Sequence, residues 1–198
     1  NIEKNIWREE NNYSTEDFIL FYGGIIGHAQ GLEVILNAAK KLEDHKNIKF
    51  ILLGNGPEKE NLLKLKDNLN LTNLEFFDAV PKSQMQRIIT DTNASIIPLK
   101  RLDLFKGAIP SKIFENLALK KPIILGVEGE AEELFIKQGK CGVSFTPEDS
   151  EDLAKQILKL YNDRNLVAEL GENGLKYVSE NFNRDKIAKE FYSQISNL

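Results

Sequence analysis

The sequence predicts an open, doubly wound α/β fold: a parallel sheet of about six strands with helices on both faces and a helical C-terminal tail. Three observations lead there. Six short β-rich runs alternate with longer amphipathic stretches, the alternation is strict, and after the sixth run the pattern turns to helices alone. Strand and helix in alternation are repeated βαβ units, whose crossovers require a parallel sheet covered on both faces.

Taken in order, the strands are expected at residues 18–22, 48–53, 74–77, 94–99, 122–127 and 142–145. The crossover helices are expected at 32–43, 58–68, 83–91, 111–119 and 130–137. In the first, Leu32, Ile35, Leu36 and Ala39 recur at helical spacing, and in the second Leu62, Leu65 and Leu69 do the same. Thr146 and Asp149 around Pro147 have the spacing of a capping box that opens a helix over 148–162. Two more helices follow, at 166–181 and 185–196. In such a sheet ligands gather beyond the carboxyl ends of the strands. The loops to search are therefore 23–31, 54–57, 78–81, 100–111 and 126–131.

Composition narrows the classes. A chain of 198 residues reads as one domain, large enough to need neither disulfide nor structural metal. One cysteine, Cys141, and two histidines remove disulfide scaffolds, zinc fingers and most histidine-built metal sites, and fit a reducing cytoplasm. A net charge of −4 argues against a general polyanion-binding surface, so no nucleic-acid partner is expected. The longest apolar runs are strand-sized, whereas a spanning helix needs roughly twenty apolar residues. Residues 1–17 are polar, lack an apolar signal core and do not begin with Met. They are expected to be a residual linker inside a longer chain.

The first loop reads Gly23-Gly24-Ile25-Ile26-Gly27-His28-Ala29-Gln30-Gly31. Glycines such as Gly24 and Gly27 let backbone approach a phosphate at a helix start, and His28 is a candidate hydrogen-bond donor. The loop does not fit G-x-G-x-x-G, and no acid ends the second strand, which disfavours a nicotinamide enzyme. By itself it reads equally well as a glycine-rich turn with no ligand. The second loop, Gly54-Asn55-Gly56-Pro57, offers backbone to a flat or hydroxylated ligand, or is a tight turn before a helix with Pro57 in its first position.

The fourth loop is the most informative. From Pro98 to Phe114, Lys100, Arg101, Lys106 and Lys112 face one acid, Asp103, a local +3 that leaves −7 for the remainder. This charge suits a diphosphate, although solvated basic loops are common. Ser111 is expected as an N-cap. Lys112 then sits at a helix start, where a cation is unfavourable by roughly 0.3–1 kcal/mol unless an anion is bound. Glu115, one turn on, either pairs with Lys112 or accepts hydrogen bonds from vicinal hydroxyls of a ribose. In the last loop Gly129, Glu130 and Ala131 could hold sugar hydroxyls, while Glu132 and Glu133 simply suit a helix N-terminus. Cys141 reads as a packed residue and not a nucleophile.

Together these loops resemble the C-terminal, donor-binding domain of retaining family-four glycosyltransferases (glycosyl transferases group 1) of GT-B fold. The resemblance runs from about residue 18 to the end. Its most specific stretch is Ile109-Pro110-Ser111-Lys112-Ile113-Phe114-Glu115-Asn116-Leu117-Ala118-Leu119-Lys120-Lys121-Pro122-Ile123-Ile124. Tyr22-Gly23-Gly24, Gln30-Gly31-Leu32, Gly54-Asn55-Gly56-Pro57-Glu58, Ala94-Ser95-Ile96-Ile97-Pro98-Leu99 and Gly129-Glu130-Ala131 add to it in order and spacing.

The resemblance implies a Rossmann-like half-enzyme whose donor is a nucleoside-diphosphate sugar, a uridine one by preference, with no metal cofactor. It makes Glu115 the ribose-binding second glutamate of a Glu-x(seven)-Glu motif, in which Gly107 stands where the first glutamate belongs. Lys112 and Glu115 become the catalytic pair, with Lys112 facing the diphosphate. Ile25 occupies the usual basic position after the first glycines, so Arg101 or Lys106 could supply charge. Backbone around Gly56 and Val80 would meet the base, and Gly54, Gly24, Gly27, His28 and Ser111 would line the nucleotide. Gly107, Gly129, Glu130 and Ala131 would meet the sugar. Residues 18–184 would be the donor domain, and 185–198 a helix packing toward an N-terminal acceptor domain that this sequence lacks. The implied role is cell-surface polysaccharide synthesis of the capsular or O-antigen kind, on the cytoplasmic side and at the inner face of the membrane. The acceptor would be a saccharide or lipid-linked, and the isolated chain inactive. Two alternatives stay open: a UDP-sugar 2-epimerase, and a non-catalytic nucleotide-binding or assembly module, which Gly107 permits.

Overall fold

In the computed structural model, which describes residues 5–196, the strands are β1 (Phe18–Gly23), β2 (Ile48–Leu53), β3 (Leu74–Phe77), β4 (Ala94–Pro98), β5 (Ile123–Gly126) and β6 (Gly142–Ser144). All neighbours pair in parallel, in the order β3-β2-β1-β4-β5-β6. The chain therefore winds outward in one direction from β1 and then in the other from β4. The carboxyl ends of β1 and β4 flank the switch point, where an open α/β sheet leaves a crevice. The doubly wound parallel fold expected from the sequence is the fold observed.

The helices are α1 (Ile6–Glu10), α2 (Glu33–Lys41), α3 (Lys59–Asn68), α4 (Lys82–Thr90), α5 (Lys112–Ala118), α6 (Ser150–Asn162), α7 (Arg164–Asn181) and α8 (Arg184–Ser196). Strand residues alternate between two layers because successive side chains point to opposite faces. Phe18, Leu20 and Tyr22 of β1 meet α2, α3 and α6, while Ile19 and Phe21 meet α1 and α4. A further cluster joins Ile97, Ile123 and Leu125 to Ile113 and Leu117 of α5 and to Val178 of α7. No described helix is long and apolar enough to cross a membrane.

Three local expectations are corrected. The helix expected over 148–162 starts at Ser150, because Glu148 takes a positive φ of 66° and Asp149 is the N-cap, accepting from the N–H groups of Glu151 and Asp152. Thr146 instead donates its N–H and hydroxyl to the Asp152 carboxylate at 2.8 and 3.1 Å. Ser111 is not a side-chain cap: it is already helical, at φ −58° and ψ −28°, and makes no cap bond. The helix expected over 130–137 is a π-helical turn, Glu132–Gln138, whose extra residue per turn brings the Gly139 N–H to the Leu134 carbonyl at 2.9 Å.

Residues 5–17, within the expected linker, are docked on the domain. Trp7 and Tyr13 are buried and stacked, with ring centroids 5.6 Å apart. Buried Arg8 donates to the carbonyls of Asp91, Ser14 and Asp17 and to the Asn93 side chain. The Asp91 carboxylate in turn accepts from the N–H groups of Asn5 and Trp7 at 2.7 and 2.9 Å, satisfying donors at the start of α1. Asp91→Ala leaves those donors without their partner and is expected to lower stability by about 2–4 kcal/mol in urea unfolding. A change below about 0.5 kcal/mol would show that this segment adds nothing to the fold.

Candidate functional site

The crevice is built from two loops that grip each other. The Gly24 N–H donates to the Leu53 carbonyl at 2.9 Å, the Ile26 N–H to Asn55 at 3.0 Å, and the Glu58 N–H back to Ile26 at 3.1 Å. A Cβ on Gly54 would lie 1.8 Å from the Gly24 carbonyl oxygen, and one on Gly56 2.2 Å from that of Ile26. Glycine at 54 and 56 is thus required by backbone meeting backbone between the loops. Gly24 itself adopts φ 141°, a region that favours glycine.

Over Gly24 lies Lys112. Its Nζ sits 4.0 Å from the centroid of the Tyr22 ring, and a Cβ placed on Gly24 would be 2.9 Å from that Nζ. The Tyr22 hydroxyl donates to the Ile25 carbonyl and so holds the first loop from beneath. Burial pushes the Lys112 amine down to about 8, with Glu115 opposing the shift. Burial also raises the Tyr22 phenol well above its ordinary range. Among the described residues, no carboxylate is within ion-pair distance of Lys112.

Glu115 does not close the helical pair with Lys112 that its spacing allows. Its carboxylate is half exposed and 3.8 Å from Lys82 Nζ. It borders a groove of about 290 Å³ between α4 and α5, lined also by Lys82, Met85, Gln86 and Phe114. Val80, just before α4, is partly buried against the cluster that holds Phe21, Leu53 and Ile88, and is not among the residues lining that groove. Gly24, Lys112 and Glu115 are therefore brought to one end of the sheet. Ser111 is exposed at the start of α5.

The remaining expected residues sit otherwise. His28 lies at the other rim, its Nδ1 3.0 Å from Oε1 of Glu58, which is mostly buried. Glu58 escaped the sequence reading as a functional residue, although it closes the Gly-Asn-Gly-Pro-Glu stretch. Gly27 precedes the 3-10 turn, His28–Gln30, that carries His28. The +3 of the fourth loop is offset in space: Arg101 pairs with Glu128 at 3.1 Å and donates its N–H to the Glu148 carboxylate, and Lys106 pairs with Asp103 at 2.7 Å. The last loop is laced to the fourth, since the Glu130 N–H donates to the Lys106 carbonyl at 2.8 Å and Gly129, at φ 90°, packs against the same carbonyl. The Ala131 side chain is fully buried, so any ligand contact there runs through backbone. Gly107 is open, with nothing within 4 Å of a Cβ built on it.

The chain is similar to known proteins in both sequence and fold. Residues 3–177 match the family model described as glycosyl transferases group 1. An uncharacterized glycosyltransferase of Methanocaldococcus jannaschii is 30% identical over 165 residues, covering 82% of this chain and 41% of that protein. The O-antigen chain mannosyltransferase C of Escherichia coli is 22% identical, covering 97% of this chain and 49% of its own length. The chain thus spans less than half of these two curated relatives. Among solved structures, that of the Anabaena HepE protein with UDP-glucose superposes with a TM-score of 0.82 at 16% identity, over 98% of this chain and 52% of the other.

Proposed function

Because the chain belongs to the glycosyl transferases group 1 family, we propose that it is the donor half of a sugar-transferring enzyme, binding a nucleoside-diphosphate sugar in the crevice between Gly24, Lys112 and Glu115. The observation that carries this reading is Lys112, a largely buried cation with no ion-paired acid among the described residues, placed over a glycine whose missing side chain leaves room beside it. A buried charge is stable when paired, and a diphosphate supplies the missing anion. In the reaction the bond from the anomeric carbon to the diphosphate oxygen breaks, the acceptor hydroxyl oxygen takes its place with retention, and the hydroxyl proton leaves with the diphosphate. The leaving diphosphate gains negative charge, which Lys112 is placed to stabilise. The half-exposed Glu115 carboxylate suits the two ribose hydroxyls, and the groove it borders, lined by Met85 and Phe114, suits the base.

The UDP-glucose of the similar Anabaena structure favours a uridine donor, and the O-antigen mannosyltransferase favours cell-surface polysaccharide synthesis; on the same reading the acceptor is a saccharide or lipid-linked and transfer takes place on the cytoplasmic side. The acceptor and its activating group belong to an N-terminal domain. Residues 18–184 form the donor domain on this reading, residues 1–17 lead into it, and α8, the described part of the C-terminal segment 185–198, packs toward the acceptor domain. The exposure of Ile187, Phe191 and Ile195 on α8 supports that last placement.

The test is sugar transfer by the full-length enzyme. Glu115→Gln should raise the KM for the donor roughly tenfold or more through one weakened charge-assisted contact, and UDP should be released in step with acceptor glycosylation. Acceptor-independent turnover, or an unchanged donor KM, would overturn the assignment. Gly107→Glu gives a second check. The position is open, so the variant should fold with wild-type stability and change donor-sugar affinity without changing UDP affinity; an equal change in both would place Gly107 away from the sugar.

A further inference from the structure

Tyr22 belongs to β1, at the floor of the crevice, and is 1% exposed. A strand residue so buried would ordinarily be aliphatic, and the phenol oxygen must find a partner there. Its two polar features are both directed at the site. The ring face lies under Lys112 Nζ at 4.0 Å, and the hydroxyl holds the Ile25 carbonyl of the first loop.

We propose that Tyr22 is a positioning residue for the donor diphosphate: its ring seats the Lys112 ammonium over Gly24, while its hydroxyl fixes the loop that forms the opposite wall. The inference rests on the donor-site reading above and adds the residue that makes the cation available. An ammonium over an aromatic face is attracted by the ring quadrupole, an attraction that grows when the pair is desolvated. The charged groups around Lys112 are few. Glu115 lies one turn along its own helix, and from α4 Lys82 stands behind Glu115 at 3.8 Å. From β1 comes the neutral Tyr22, kept protonated by burial. The ring therefore does for Lys112 what a carboxylate would do elsewhere, without competing with an incoming anion for a permanent salt bridge.

The test reads Lys112 and UDP separately. In this chain, the titration of Lys112 is followed by NMR of its labelled Cε, and UDP affinity is measured across the same pH range. Replacing Tyr22 by a series of fluorinated phenylalanines, which drain the ring face while keeping its shape, should lower the Lys112 titration stepwise, by about half a unit to one unit over the series. Tyr22→Phe should leave the Lys112 titration in place, because the ring remains. Tyr22→Leu should lower it and weaken UDP binding about fivefold near pH 8, with less than about a twofold further effect when Lys112 is already Met. A Lys112 titration indifferent to fluorination overturns the proposal even if UDP binds normally. Additive losses from Tyr22→Leu and Lys112→Met do the same, by reducing Tyr22 to a core residue. Failure of the wild-type chain to bind UDP while fluorination still moves Lys112 would overturn the donor reading and leave the seat itself standing.

Discussion

Lys112→Met is expected to weaken UDP binding by about 10- to 150-fold, the range of one charge-assisted contact, and at the same time to stabilise the empty chain. The two effects have one origin. Burial holds Lys112 near 8 in the folded chain, while an unfolded lysine keeps its proton to about 10.4. Between those values the unfolded chain binds the extra proton, so stability rises with pH across that window. Below about pH 8 the folded chain carries the full penalty of a buried ammonium. Methionine, of similar length and without charge, should relieve on the order of 1–2 kcal/mol at neutral pH. UDP affinity in the wild type should follow the opposite course, constant below about pH 8 and falling above it as the free site loses its proton. The methionine variant should show neither dependence. Calorimetric titration and urea unfolding at several pH values check both, and a variant that loses stability and affinity together would mean that Lys112 is held by packing and not poised for an anion.

Gly54→Ala should have the largest structural effect of any substitution in the crevice. Its Cβ would overlap the Gly24 carbonyl oxygen at 1.8 Å, and φ 152° is strained for alanine even without that contact. Backbone on both sides must move, since neither neighbour is the end of a flexible side chain. A loss above about 3 kcal/mol is expected, with UDP affinity reduced at least about tenfold because Gly24 is displaced beneath Lys112. Gly107→Ala is the matched control: open space surrounds it, so its effect should stay within about 0.5 kcal/mol. Comparable stabilities for the two variants in thermal or urea unfolding would contradict the interlocking of the first two loops.

The sheet was legible because each strand is a short run of branched and aromatic residues set between helical periods, and parallel strands buried on both faces must look that way. The docking of Trp7 and Tyr13 was not, because they are scattered among polar residues and their partners, Asp91 for the Trp7 N–H and Glu75 for the Tyr13 hydroxyl, are distant in sequence. The start of the sixth helix was misplaced because Thr146 and Asp149 have capping-box spacing, whereas the aspartate alone caps and Glu148 turns the chain left-handed before it. At the site, Lys112 and Glu115 stood out through the Pro-Ser-Lys stretch and their helical spacing. The charge count of the fourth loop overstated its basicity, since Glu128 and Glu148 come to Arg101 from later loops. Tyr22 entered as a strand residue and as part of the Tyr22-Gly23-Gly24 piece, with no role at the site. Its contact with Lys112 joins β1 to α5 across the switch point, and no sequence period reports a pairing of that kind.

Titration of this chain with UDP, followed residue by residue in 1H–15N NMR spectra, decides whether the crevice is the nucleotide site. Expected are saturable shifts at Tyr22, Gly24, Ile25, Lys112 and Glu115, weaker with uridine than with UDP and strongly reduced in Lys112→Met. No shift at ~1 mM UDP, a concentration that would detect even feeble binding, or shifts confined to residues away from Gly24, Lys112 and Glu115, would contradict the placement of the donor.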